Sequence, residues 1–175
     1  MNRYTSLILV FVLSHIMPSG SSFAHDAEYR ALAPILSAAE KFFISLKAGD
    51  YDSAWDLLSD NSHRTIISDV YEATREINED ISRQEIADDF NSRGTMFKNY
   101  WNSFKRSFDA DMILENSEWE MGIMKQEEAE IVITHNNAEG PTILKMSKEH
   151  NTWRVGLTET FWQRKSLKLL HLIFQ

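Results

Sequence analysis

The sequence predicts an α+β fold, with helices in the first part of the chain packed on one face of an antiparallel sheet built from the second. Apolar residues recur at helical spacing from Pro34 to about Phe108. From Met112 they alternate with polar residues at a period of two, the signature of half-buried strands. Short polar connections near Lys125-Gln126, Asn136 to Gly140 and Glu149-His150 suit a four-stranded meander. Helices that precede strands, rather than alternate with them, give a segregated α+β arrangement.

The chain opens with a lone Arg3, an apolar run from Leu7 to Leu13, and Pro18-Ser19-Gly20 before Ser22-Phe23-Ala24. This reads as an export signal over residues 1–24, cleaved after Ala24, because the apolar run is too short for a membrane span of roughly 20 residues. The expected location is the bacterial periplasm or the cell exterior, with no transmembrane span in the mature chain. A single domain is expected over residues 25–162.

The first helix is expected from Pro34 to Lys47, with Ile35, Leu36, Ala39, Phe42, Phe43 and Leu46 on its buried face and Gly49 just past its end. Asp50 is placed to cap a second helix, Tyr51 to Leu58, and Ser59 or Asp60 a third reaching about Ile77. Ser82-Arg83-Gln84-Glu85 is a capping box that opens a helix expected to bend near Gly94 and run on to Phe108. Strand rows follow at Trp119 and Met121, at Ala129, Ile131 and Ile133, at Thr142, Leu144 and Met146, and finally at Trp153, Val155, Leu157 and Phe161. Residues 163–175 form a tail in which Arg164, Lys165 and Lys168 precede Leu169, Leu170, Leu172, Ile173 and Phe174. Packing on the parent domain, a dimer or partner contact, and an anionic membrane surface are its alternative uses.

Composition narrows the function. Of 175 residues 43% are hydrophobic and 25% charged, enough to bury a core and incompatible with disorder. The net charge of -8 repels a phosphate backbone, so nucleic acid is not an expected partner. The absence of cysteine removes disulfides, thiolate metal sites and thiol nucleophiles. The histidines lack metal-binding spacing, and there is neither a G-x-S-x-G elbow nor a glycine-rich phosphate loop, so no metal and no cofactor is expected.

The stretch Ala39-Glu40-Lys41-Phe42-Phe43 through Leu46-Lys47-Ala48-Gly49-Asp50-Tyr51-Asp52-Ser53-Ala54-Trp55-Asp56-Leu57-Leu58 resembles the opening helix pair of the nuclear transport factor 2-like superfamily. The closing segment Thr152-Trp153-Arg154-Val155 is also similar to those domains. The resemblance implies a curved sheet wrapped around the first helix as a cone, with a pocket at its open end. It says little about activity, since the superfamily holds isomerases, dehydratases, transport adaptors and immunity proteins. Ketosteroid-isomerase-like members carry a tyrosine on the first helix and facing acids, whereas no inward residue of the first helix here transfers a proton.

Three residues are candidates for chemistry. Strand alternation places Glu159 on the core-facing row of Trp153, Val155 and Leu157, where burial would raise its pKa toward use as a general acid or base. His135 ends the apolar row of β-type residues before it. If residue 133 pairs with 144 and 144 with 155, these two lie beyond roughly 10 Å of one another and form no dyad. Tyr100 belongs to the aromatic stripe Met96, Phe97, Tyr100, Trp101, Phe104 and Phe108, which packs a core or lines an apolar pocket. The pocket-lining candidates are Phe42, Phe43, Trp55, Tyr100, Trp101, Trp119, Trp153 and Leu157. The expected function is an exported, non-catalytic binding or interaction module, with a small apolar molecule or a protein as partner and homodimerisation open to it. The alternatives are a small isomerase or dehydratase using an acid-base residue in the pocket, and an immunity or assembly factor.

Overall fold

The computed structural model describes residues 22–135 and 140–161, with side chains from Tyr29 onward. The expected signal segment lies outside the described residues except for its last three positions, and the 163–175 tail lies wholly outside them. No described helix is long and apolar enough to cross a membrane.

Helix α1 runs from Ser22 to Ala48. It starts well before Pro34, contrary to the expectation, because Ala31, Leu32 and Ala33 favour helix and the exposed proline forfeits one amide bond without ending it. Ile35, Ala39, Phe42 and Phe43 are fully buried on its inner face, and Leu46 is nearly so. The helix closes in a Schellman motif: Gly49 has φ 74°, its N–H donates to Leu46 O at 3.2 Å, and the Asp50 N–H donates to Ser45 O at 2.9 Å. Asp50 then caps α2 (Tyr51–Asp56) by accepting from Ser53 N–H at 3.1 Å.

Helix α2 stops two residues short of the expected Leu58. Leu58 forms a parallel bridge with Val155, and the Val155 N–H and C=O bond to Leu57 O and the Ser59 N–H at 2.8 and 2.9 Å. This short strand-like step satisfies backbone groups that another helical turn would have satisfied internally. Ser59 caps α3 (Asp60–Arg75), and the expected capping box of Ser82 and Glu85 opens α4 (Arg83–Asn91).

The expected bent helix from Ser82 to Phe108 is two helices, α4 and α5 (Thr95–Ser107). Arg93 takes a left-handed conformation, φ 57°, and the Arg93 and Gly94 amides bond back to Phe90 O and Asp89 O at 3.3 and 2.8 Å. Asp89 Oδ1 accepts from Phe97 N–H at 2.9 Å, crossing the corner to serve the first turn of α5. A Cβ on Gly94 would lie 2.2 Å from Asp89 Oδ2, so glycine is what lets this carboxylate approach. The period of two does not begin at Met112 either. Asp109 caps a further helix, α6 (Ala110–Glu115), whose neighbours Ile113 and Leu114 are both buried, as adjacent positions on a helix against a core can be.

Strands β1 (Ser117–Met124), β2 (Glu128–His135), β3 (Thr142–Glu149) and β4 (Thr152–Gly156) form the expected antiparallel meander in the order β1-β2-β3-β4. The register differs from expectation: Ile133 pairs with Thr142, Ile131 with Leu144, and Met146 with Val155. A bulge at Gly122-Ile123 shifts the end of β1. Ala129, Ile131, Ile133, Leu144, Met146 and Val155 are buried beneath the helices. Glu118, Glu120, Thr134 and Ile143 project from the opposite face, where all four are exposed.

The last strand ends at Gly156 rather than continuing to Phe161. The chain turns into the short helix α7 (Leu157–Phe161), where the Thr160 hydroxyl accepts from Lys145 N–H at 2.9 Å and donates to Gly156 O at 2.6 Å. One side chain thus satisfies the two ladder groups freed by the departing strand.

Candidate functional site

The helical corner after β4 changes the setting of Glu159. Its carboxylate does not sit in the apolar strand row but accepts from Ser59 Oγ and Ser62 Oγ at 2.7 Å each, and from Thr158 Oγ1 at 3.0 Å. Ser59 and Ser62 are themselves fully buried, and the Ser59 hydroxyl also accepts from the Ser62 N–H at 3.0 Å. Burial alone raises the Glu159 pKa, but the donors from Ser62, Ser59, its own backbone and Thr158 outweigh it, and the carboxyl is held below its ordinary 4.5. The expected upward shift is therefore reversed. Glu159 is an ionised, hydrogen-bonded group that ties α7 to the start of α3.

His135 ends β2 opposite Ser117, with Nδ1 2.8 Å from Asn116 O. A carbonyl partner makes Nδ1–H the donor and leaves Nε2 as the other ring position. Gly156, against which Glu159 packs, is opposite Lys145, and Lys145 is opposite Glu130. From Glu130 to His135 is about 17 Å along the strand, and two strand spacings add about 10 Å across it. The two residues are further apart than the expected register gave.

Tyr100 is buried in α5 among Phe90, Trp101 and Phe104, with ring centroids 5.9, 5.3 and 6.4 Å away. Its hydroxyl makes no hydrogen bond among the described residues, and burial, joined by the Asp69 charge, drives its pKa far upward. Glu159, His135 and Tyr100 thus occupy a corner, a strand end and a core, and no common substrate position brings them together.

The residues expected to line a pocket instead fill the interior. Phe42, Phe43, Trp101 and Leu157 are fully buried, and Trp55 is 5% exposed. Trp55 stacks on His63 at 4.2 Å and meets Phe90 at 5.1 Å. Phe43 stacks on Phe108 at 5.8 Å and meets Trp119 edge-on at 5.6 Å. Trp153 is half-buried against this cluster. Of the expected set Trp119 reaches a surface groove, one of about 300 Å³ shared with Tyr29, Leu36 and Leu114.

A second groove, of about 340 Å³, lies beside α7 on the outer sheet face, where Glu159, Lys145, Glu130, Glu128 and Ile123 are among its walls. Lys145 pairs with Glu130 across the strands, and Lys125 with Glu128 at 2.9 Å. Among the described residues no three or more His, Asp or Glu side chains are grouped as a metal site. Ser59, Ser62 and Thr158 were not legible as partners of Glu159. The only local signal was the N-cap position of Ser59, which says nothing of a residue 100 positions away.

No known protein family matches the chain, and comparison with curated proteins and with solved structures gives no significant match.

Proposed function

We propose that the protein is an exported interaction module that meets a protein partner through its surface, without a catalytic centre of its own. The observation that carries this reading is that Phe42, Phe43, Trp101 and Leu157, expected to line a pocket, are fully buried in the core. The three hydroxyl donors to Glu159 add to it, since they hold its pKa below the ordinary value and a general base works best with a pKa near the operating pH. Within the proposal the chain is a nuclear transport factor 2-like domain, a reading supported by α1 with its Gly49-Asp50 turn and by the meander packed against it. Export is supported by the 1–24 pattern.

Two measurements test it. Expression of the full chain in a bacterial host, followed by intact-mass analysis of the periplasmic fraction, is expected to give a chain beginning at His25. Titration with an anilinonaphthalene sulfonate probe is expected to give no saturable site. Retention of residues 1–24 in the cytoplasm would remove export, and one-to-one saturable binding of the probe to the native protein would replace the surface role with an interior ligand.

A further inference from the structure

The two edges of the sheet differ. At β4 the Val155 N–H and C=O are taken up by Leu57 O and the Ser59 N–H. At β1 the alternation of ladder bonds decides which groups are left over. The Lys125 N–H donates to Glu128 O at 2.7 Å and the Lys148 N–H to Glu127 O at 2.8 Å, so even-numbered residues of β2 turn their backbone groups toward β1 and odd-numbered ones toward β3. Glu118 and Glu120, opposite Thr134 and Val132, therefore make the bonds to β2. Ser117, Trp119 and Met121 direct their N–H and C=O groups away from the sheet, and no described residue bonds to these groups. The bulge at Gly122-Ile123 lies beyond this stretch.

Two further features meet at the same edge. On its inner side the groove of about 300 Å³ opens between α1, α6 and Trp119, with Tyr29, Leu36 and Leu114 giving it mostly apolar walls. On its outer side Glu118 and Glu120 are exposed and make no ion pair among the described residues. Residues opposite one another on neighbouring strands share a face, so a strand added beside β1 sets alternate side chains over the groove and against the glutamates.

We propose that the edge from Ser117 to Met121 takes an extended segment of a partner protein as a fifth strand, one in which apolar residues alternate with lysine or arginine. Backbone bonds to Ser117, Trp119 and Met121 hold the segment, the groove beside Trp119 takes an apolar side chain, and Glu118 and Glu120 select the basic ones. A second copy is a poor occupant, because two such edges paired antiparallel about Trp119 set Glu118 against Glu120 twice. The site rests on the surface role already proposed and gives its partner a chemistry.

The probe is a fluorescein-labelled ten-residue peptide of alternating lysine and valine, titrated into the full chain and read by anisotropy. It is expected to bind saturably, and at least about tenfold more tightly than a peptide of the same composition with its lysines and valines in separate blocks. The valine amides are the ones that face Ser117, Trp119 and Met121, so methylating them is expected to abolish binding, whereas methylating the lysine amides is not. In the double variant Glu118→Lys with Glu120→Lys, checked for folding by circular dichroism, the lysine peptide should lose about tenfold in affinity and a glutamate-valine peptide should gain as much. Equal binding of alternating and block peptides, or no effect of valine methylation, would overturn the inference, as would no saturable binding up to about 1 mM. Any of these, with no interior site for the naphthalene probe, removes this edge and leaves the surface role, while an interior site removes that role itself. Protection of the Trp119 and Met121 amides from hydrogen exchange that grows with protein concentration, without peptide, would assign the edge to a second copy instead.

Discussion

Ser59 Oγ donates to Glu159 Oε1 at 2.7 Å across one hundred positions of sequence, and Ser62 Oγ donates to the other carboxylate oxygen at the same distance. The cap of α3 and the corner after β4 are thereby one hydrogen-bonded unit. Replacing Glu159 by glutamine keeps the shape but gives up charge-assisted acceptance and forces one amide N–H toward a hydroxyl. Hydrogen bonds to charged groups contribute about 1.5–3 kcal/mol, and the half-buried position brings the expected loss to about 1–2 kcal/mol by urea denaturation at pH 7. The pH dependence has a defined sign. A carboxyl lowered in the folded state stabilises above its ordinary value of 4.5 and loses that contribution as pH falls through the lowered value. The difference between wild type and Glu159→Gln should therefore be full at pH 7 and narrow below pH 4.5, and a constant difference would show that the charge is not what matters.

Arg93 combines an unfavourable backbone with favourable side-chain contacts. Its φ of 57° costs about 1–2 kcal/mol for a residue with a Cβ. Its guanidinium meets Asp56 Oδ1 at 2.6 Å and Asp52 at 3.4 Å, donates to Phe90 O at 3.0 Å, and lies 5.1 Å from the Phe97 ring. Arg93→Ala loses the contacts and keeps the strain, whereas Arg93→Gly loses both. The glycine variant is expected to be more stable than the alanine variant by about 1 kcal/mol in paired urea titrations, and the reverse order would remove strain from the account.

The β3–β4 hairpin turns on His150 and Asn151, with φ of 49° and 64°. Two successive positive values mark a type I′ turn, for which Asn-Gly is the preferred pair. The double replacement His150→Asn with Asn151→Gly is expected to raise stability by about 0.5–1 kcal/mol, read as a higher thermal midpoint. Destabilisation would mean that the His150 side chain makes a contact that matters more than the turn.

Tyr100 carries a buried hydroxyl that makes no hydrogen bond among the described residues. Removing it by Tyr100→Phe discards a desolvated group and leaves the aromatic packing intact. The variant is expected to be equal to wild type or up to about 1 kcal/mol more stable, because leaving a buried polar group unsatisfied costs about that much. A loss above 1 kcal/mol would reveal a partner for the hydroxyl.

Much of the helical half was legible because its signals are local. The inward residues of α1, the Gly49 stop, and the caps at Asp50, Ser59 and Ser82 each act within four residues of where they stand in the chain. The errors fall where local signals were ambiguous. Pro34 suits a helix start and is equally tolerated on an exposed helix side. Gly94 suggested a bend, but the left-handed residue is Arg93, one position earlier. Leu157 and Phe161 fit an alternating row as well as a helical turn, and that reading carried Glu159 into the wrong environment.

By itself the sequence determined the α+β class, the order of helices before strands, the four-stranded meander, and the apolar residues that enter the core. These follow from periodicity and capping, which are properties of neighbouring residues. Only the tertiary structure decided the strand register, the filling of the interior by Phe42, Phe43 and Trp101, and the lowered pKa of Glu159. Register depends on which rows meet across strands, and interior space on whether side chains from the helices and the sheet interdigitate. The charge state of Glu159 depends on hydroxyls 97 and 100 residues away, which no local pattern encodes.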